Sequence, residues 1–446
     1  MDKNEELYRL DQSLVSDVMK LRFYPLNVER ASGSKMYDAE GNEYIDMNAG
    51  WAVMNLGYGN RKVIEAIEST LERVSFTPLI STISKEAIEL SKRLTALIPG
   101  EFEKKVWYGH SGSDANEFLA KILPLATGKK KMVTFIGSYH GQTMGSYEMS
   151  GHPALREFQP EDSRVIKVPY PHCYRCPAGC QPGSCHLECM ELFQKKILEI
   201  AGGYDDISAV VIEAAQSDGG DVPAPFRFIK ALETFCHEHG IYLIFDEVKI
   251  GIGRTGKWFG FMYSDVVPDA VVIGKPLGEG QPLSAVVGRR ELMDAGVGLH
   301  LFTTSGNPVA CAAALATLDY IEQAHVMEHV NTVSSHLVQK LHKLQEKYSV
   351  IGDVRNLGFL MGVELVEDED KTPATKLCSL VMYRSYELGM LCYCTGIDSN
   401  VLEFTPPLIL TIEEADQVVD ILDRAIDDAL NGRVDEAAVA RFGGWA

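Results

Sequence analysis

The sequence predicts an α/β protein in two parts: a large domain on a mainly parallel, helix-covered sheet, and a smaller α+β domain. Three observations carry this. Between about residues 105 and 290, apolar runs of strand length alternate with helical patterns. After about residue 320 the pattern turns helical and then mixed. A chain of 446 residues, 46% hydrophobic, is also long enough to bury more than one core.

The elements follow in order. "KMYDAEGNEYIDM" (35–47) reads as a hairpin turning at Glu40-Gly41, which assigns residues 1–60 to a segment joining the smaller domain. "KKVWYGH" (104–110) is a strand running into the helical "SDANEFLAKILPLA" (113–126). "KMVTFIG", "ISAVVIEA", "IYLIFDEV" and "DAVVIGK" are further buried strands of a large domain spanning 61–320. Such strands, separated by helices, form a sheet covered on both faces. "HLVQKLHKLQEKY", "GFLMGVELV", "LEFTPPLIL" and "EADQVVDILDRAI" make up the smaller domain, 321–446. Ligands of parallel sheets gather at the carboxyl ends of the strands. Asp218, Asp246 and Lys275 all stand at or just past such ends.

Composition removes several classes of function. Lys and Arg total 42 against 62 Asp and Glu, a formal charge of -20, which argues against nucleic-acid or acidic-membrane partners. No apolar run approaches the roughly 18 residues that cross a bilayer. The charged start "MDKNEELYRLD" lacks the apolar core of a secretion signal, so a cytoplasmic location is expected.

Of 10 cysteines, Cys173, Cys176, Cys180, Cys185 and Cys189 crowd into "HCYRCPAGCQPGSCHLEC". Four thiols suffice for a tetrahedral zinc, but these spacings match no standard zinc module. The cluster reads as a reduced or redox-labile surface loop, and no metal is expected.

Three pieces fit one kind of ligand. In "GHSGSDAN" (109–116), small residues lead into a helix whose first N–H groups, at Gly112 and Ser113, suit a phosphate. In "LIFDEVKIG", Asp246 closes an apolar strand, and a buried carboxylate needs a partner such as a protonated ring nitrogen. In "DAVVIGKPLGEGQPLSAV", Lys275 ends another apolar strand, where desolvation lowers a lysine pKa and favours Schiff-base formation. Each has a plain alternative when taken alone: a capped helix, a structural ion pair, a snorkelling lysine.

Together with "YHGQTMGS", "FDEVKIGIGRTG" and "SGNPVACAAALATL", these pieces resemble the fold-type-I pyridoxal-phosphate enzymes of the class III aminotransferase family over nearly the whole chain. The resemblance implies pyridoxal 5'-phosphate as cofactor, carried covalently by Lys275, with Asp246 on the ring nitrogen. It also implies that Ser111, Gly112 and Ser113 hold the phosphate, while Tyr139 stacks on one ring face and Val248 packs on the other. Thr303 resembles the residue that reaches the phosphate of a neighbouring subunit, which implies a homodimer or higher oligomer with shared active sites. Lys249 stands where the family usually has a glutamine near the ring hydroxyl, and a cation there favours the ionised phenolate.

The stretch "EAAQSDGG" (213–220) departs from the family's usual Glu-Pro-x-x-Gly-Glu-Gly-Gly. Ala214 replaces the proline and Asp218 the second acid. This departure resembles the racemase branch of the family, which includes amino-lactam racemases and isoleucine epimerases. "KLRFYPL" (20–26), "HLFTTSGNP", "NVLEFTPPL" (400–408) and the terminal "RFGGW" extend the resemblance. As a residue type in a turn, Asp218 reads simply as a turn former. Racemisation gives it another purpose. Lys275 exchanges a proton with Cα on one face, and the opposite face needs a second group. Asp218 is the candidate, with Tyr139 the alternative; to act as an acid near neutral pH, Asp218 must be raised by burial from about 3.9. The expected activity is racemisation or epimerisation of an amino acid or α-amino-lactam, with aminotransfer as the alternative. Trp51 and Tyr24 either line an apolar substrate pocket or pack the core. Arg355 reads as a structural ion pair rather than a carboxylate clamp.

Overall fold

The computed structural model describes residues 3–158, 164–181 and 184–442. Gly443, Gly444 and Trp445 of the terminal motif and Pro182-Gly183 of the cysteine loop therefore lie outside the described residues.

A seven-stranded sheet forms the centre. Its order is Lys104–Gly109, Ser284–Arg289, Ala270–Ile273, Tyr242–Asp246, Ile207–Ile212, Lys131–Phe135 and Val165–Val168. Only Ser284–Arg289 runs against the rest, antiparallel to both of its neighbours. Every residue of the central Ile207–Ile212 and Ala270–Ile273 strands is buried, as continuous apolar runs require when helices cover both faces. The 16-residue helix Gly112–Thr127 packs its Phe118, Leu119 and Ile122 into one of these faces.

A four-stranded antiparallel sheet, ordered Ile351–Leu357, Leu360–Leu365, Val401–Phe404 and Tyr393–Thr395, lies among helices Val326–Lys347, Thr375–Glu387 and Ile412–Leu430. The hairpin near the start is present as Lys35–Asp38 and Glu43–Asp46. Its second strand pairs with Met390–Leu391, so the two ends of the chain share a sheet. No helix among the described residues is long and apolar enough to cross a membrane.

Cys173, Cys176, Cys180, Cys185 and Cys189 line a small crevice with His172. Among the described residues, the only trio of metal-ligand atoms brought together is His172, Asp353 and Glu364. There both acids pair with Arg355, and Glu364 also pairs with Arg175.

Candidate active site

At the carboxyl ends of the central strands lies a cavity of about 370 Å³. A second chamber, also about 370 Å³, lies beside it and is walled by the 18–21 segment, Trp51 and Gln142. Tyr139, Asp218 and Lys275 line both chambers.

One end of the inner cavity is a helix start. Ser111 caps Gly112–Thr127 by accepting the Asp114 N–H at 3.2 Å. The first N–H groups of a helix have no intrahelical partner, so those of Gly112 and Ser113 remain for an anion. Position 112 leaves no room for a side chain, because a Cβ there would stand 2.7 Å from Val248 Cγ1.

Asp246 terminates its strand and is held on three sides. Oδ2 contacts His140 Nδ1 at 2.7 Å and accepts from Asn116 Nδ2 at 2.8 Å, while Oδ1 accepts the Val248 N–H at 3.0 Å. Three buried polar atoms of the cavity residues have no protein partner: Asn116 Oδ1, His140 Nε2 and Glu213 Oε2. Burial, with Asp246 and Asp218 close by, pushes Glu213 well above the carboxylate range. An anion cup, a fixed carboxylate, a lysine and unsatisfied polar atoms on one cavity fit a flat phosphorylated heteroaromatic aldehyde such as pyridoxal phosphate.

Lys275 follows the Ala270–Ile273 strand by two residues and adopts φ +36°, a left-handed conformation that is strained for a residue with a side chain. Desolvation, reinforced by Lys249, lowers its amine to about 8 against the pull of Asp218, Glu403 and Asp246. Asp218 sits in the turn between the short strands Ala215–Gln216 and Val222–Pro223. The Ser217 carbonyl closes that turn, accepting from Gly220 N–H at 2.8 Å and Asp221 N–H at 2.9 Å. The turn therefore does not depend on the Asp218 carboxylate, which is buried against the cavity. The expected upward shift of Asp218 is not found. Burial does act upward, but Lys249, Lys275 and His152 outweigh it and hold the carboxyl below its ordinary range.

Lys249 lines the same cavity, with its ammonium 2.7 and 2.9 Å from the two Glu403 oxygens. Burial opposes its charge, yet Asp218, Glu403 and Asp221 together raise its proton affinity above that of an ordinary lysine. Tyr139 is half-buried on the boundary between the chambers, its hydroxyl pushed up to about 12 by burial and by Asp218.

Trp51 also faces the outer chamber, on a turn in which Ala49, Gly50, Trp51 and Ala52 all have φ between +47° and +66°. Each left-handed non-glycine residue costs about 1–2 kcal/mol. Hydrogen bonds from Ala52, Val53 and Met54 back to Asn48 and Ala49, with Tyr393 packed at 4.4 Å from the indole, offset that cost. Tyr24 is not on the chamber wall. It is buried, stacked on Tyr386 at 4.9 Å, and lines a separate cavity of about 430 Å³ together with Trp51. Thr303 is exposed and does not line the cavity, although its neighbour Thr304 bonds His110, which does. Arg355 is occupied by Asp353, Glu364 and the Gly220 carbonyl.

Sequence reasoning missed His140, Asn116, Glu213 and Glu403. Two of them left a signal: Glu213 follows six consecutive buried apolar-strand positions, and Glu403 interrupts the apolar "VLEF".

The profile described as Aminotransferase class-III matches residues 17–426. The chain is 38% identical to the leucine/methionine racemase of Thermococcus litoralis over 99% of this chain and 100% of that protein. It is 37% identical to the isoleucine 2-epimerase of Lentilactobacillus buchneri over 97% of both chains. It is 33% identical to the 4-aminobutyrate aminotransferase of Escherichia coli over 96% of this chain and all of the other. Among solved structures, a Bacillus anthracis aminotransferase superposes with a TM-score of 0.88 at 31% identity, covering 96% of this chain and 99% of that one.

Proposed function

The chain belongs to the class-III aminotransferase family, and we propose that it is a racemase or epimerase of that family, inverting the α-carbon of an amino acid or α-amino-lactam. Its cofactor is pyridoxal 5'-phosphate. The observation that carries the proposal is the shared wall of the two chambers: Lys275 and Asp218 both border the space between cofactor cavity and substrate chamber.

When bound, pyridoxal phosphate attaches through its aldehyde, and its ring accepts the electron pair left when a proton leaves Cα. The chain supplies everything else. The Gly112 and Ser113 N–H groups, with Ser111, would hold the phosphate. Asp246, fixed by His140 and Asn116, would pair with the ring nitrogen. Tyr139 and Val248, which line the cavity, would pack against the ring, and the Lys249 cation would favour the ionised ring hydroxyl. Lys275 moves the Cα proton on one face and Asp218 on the other. Their charges are linked. Each time Lys275 is neutral, one of the cations that hold Asp218 down disappears, and burial lifts the aspartate toward a proton donor. Trp51 shapes the substrate chamber.

Incubating the enzyme with single enantiomers of amino acids and α-amino-lactams, without any keto acid, tests the proposal by chiral chromatography. Inversion is expected. The second reading, aminotransfer, is favoured by the aminotransferase relatives. It requires complete conversion of the cofactor to its amine form with amine donor alone, and that result would replace racemisation.

We also propose a cytoplasmic homodimer or higher oligomer in which Thr303 serves the phosphate of the other copy. Supporting this, Ile80, Ile83 and Leu301 expose 46%, 85% and 51% of their surface near Thr303, with Leu79 against Gly306 joining the two loops. Sedimentation should give at least a dimer, and Thr303→Ala should weaken cofactor retention. An active, cofactor-loaded monomer would count decisively against shared sites.

A further inference from the structure

The Lys249–Glu403 pair joins the two sheets. Lys249 follows the Tyr242–Asp246 strand of the seven-stranded sheet, whereas Glu403 stands on Val401–Phe404 of the four-stranded one. Glu403 is fully buried and Lys249 nearly so. A buried ion pair is expensive to desolvate and is weak evidence of stability, so its retention beside a reacting centre calls for another reason.

Glu403 spends its oxygens in a particular way. Both meet the Lys249 ammonium, at 2.9 and 2.7 Å, and Oε2 also accepts the Ser217 hydroxyl at 2.9 Å. Ser217 is the residue before Asp218, and its carbonyl closes the turn that carries Asp218. One carboxylate thus grips both the cation beside Asp218 and the Ser217 side chain in the turn that presents Asp218.

We propose that Glu403 is a positioning residue for the second base. By holding Lys249 and Ser217 together, it fixes the orientation of Asp218 and divides the lysine's charge between two carboxylates. The inference rests on the racemase reading and deepens it. Without Glu403, the Lys249 ammonium turns wholly to Asp218, locking it in a direct ion pair and making it a poorer base. The other ionisable groups facing these residues are Lys275, His152, Tyr139, Glu213, Asp246, Asp221, Arg254, Arg355 and Tyr393. Burial and the neighbouring Glu403 both push Asp221 well above the carboxylate range. Of the acids around Lys249, Glu403 is the one whose two oxygens meet its ammonium directly.

The test is exchange of the α-proton with solvent deuterium, measured separately for each enantiomer across pH. Glu403→Gln should slow exchange of the enantiomer served by Asp218 by about 10- to 100-fold and leave the other within about threefold. The acid limb for the affected enantiomer should move to lower pH, and Glu403→Asp should restore most of the rate. Melting of the cofactor-free protein reports separately on folding. Should Glu403→Gln fail to fold, Ser217→Ala, which removes only one of the two grips, should show the same asymmetry at smaller amplitude. Equal loss for both enantiomers, or no loss in a folded variant, overturns the proposal. If Asp218→Asn is itself symmetric, the two-base reading fails; if it is asymmetric and Glu403→Gln is not, only the positioning role fails.

Discussion

Lys275→Ala should abolish turnover while leaving the phosphate cup intact. The residue lies on the boundary of both chambers, and no other lysine shares its combination of strand-end position and lowered proton affinity. Its loss removes the covalent anchor and the proton carrier of one face together, so the effect should reach or exceed the upper end of the roughly 10²–10⁴-fold range for an acid–base group. Borohydride treatment of the loaded wild-type protein should label Lys275, and the variant should take up no label. Labelling of Lys249 in an active variant would overturn the assignment. Cofactor loading carries a pH signature as well. Attachment needs a neutral amine, and with the amine near 8 rather than 10.5, the loading rate should climb up to about pH 8 and level off above it.

Asp218→Asn should keep cofactor binding and the visible absorbance of the loaded enzyme but depress racemisation by roughly 10²–10⁴-fold. The α-proton of the enantiomer handled by Lys275 should still exchange with deuterated solvent, and that of the other should not. A turn former behaves differently: its loss lowers both exchanges together or destabilises the fold. Because the Ser217 carbonyl closes the turn, little change in melting is expected from the substitution. Normal racemisation by the Asn variant would return Asp218 to the status of a turn residue and leave Tyr139 or aminotransfer as the explanation.

The difference between what was legible in the sequence and what was not has a physical origin. The strands at 104–109, 131–135, 207–212, 242–246 and 270–273 are continuous apolar runs bounded by polar residues, and local pattern suffices for them. The reversed strand Ser284–Arg289 escaped because it emerges directly from a glycine- and proline-rich loop, where punctuation masks a short run. Val165–Val168 is too short to stand out. In the site, residues that follow local motifs were found: Ser111, Asp246 and Lys275. The pairing of Lys249 with Glu403 spans 154 positions and leaves no local trace. The depressed proton affinity of Asp218 was missed for the same reason. Burial could be read from the neighbouring residues, but Lys249, Lys275 and His152, which outweigh it, come from three separate parts of the chain. The left-handed turn at Trp51 is set by its tertiary surroundings and likewise has no one-dimensional signature.

The order of the strands also sets a timetable for synthesis. Among the described strands Lys104–Gly109 pairs only with Ser284–Arg289, and Glu43–Asp46 gains its second partner only with Met390–Leu391. Lys249 waits for Glu403. A ribosome that has released three-quarters of the chain has therefore made every residue lining the two chambers but not Glu403, and the opening hairpin keeps one edge open until Met390–Leu391 emerges. Such long-range closures are slow and leave strand edges open. Cofactor supplied during expression thus meets the Lys249–Glu403 pair only on chains that are nearly complete. Yield should respond more to slower translation or chaperone supply than to cofactor concentration.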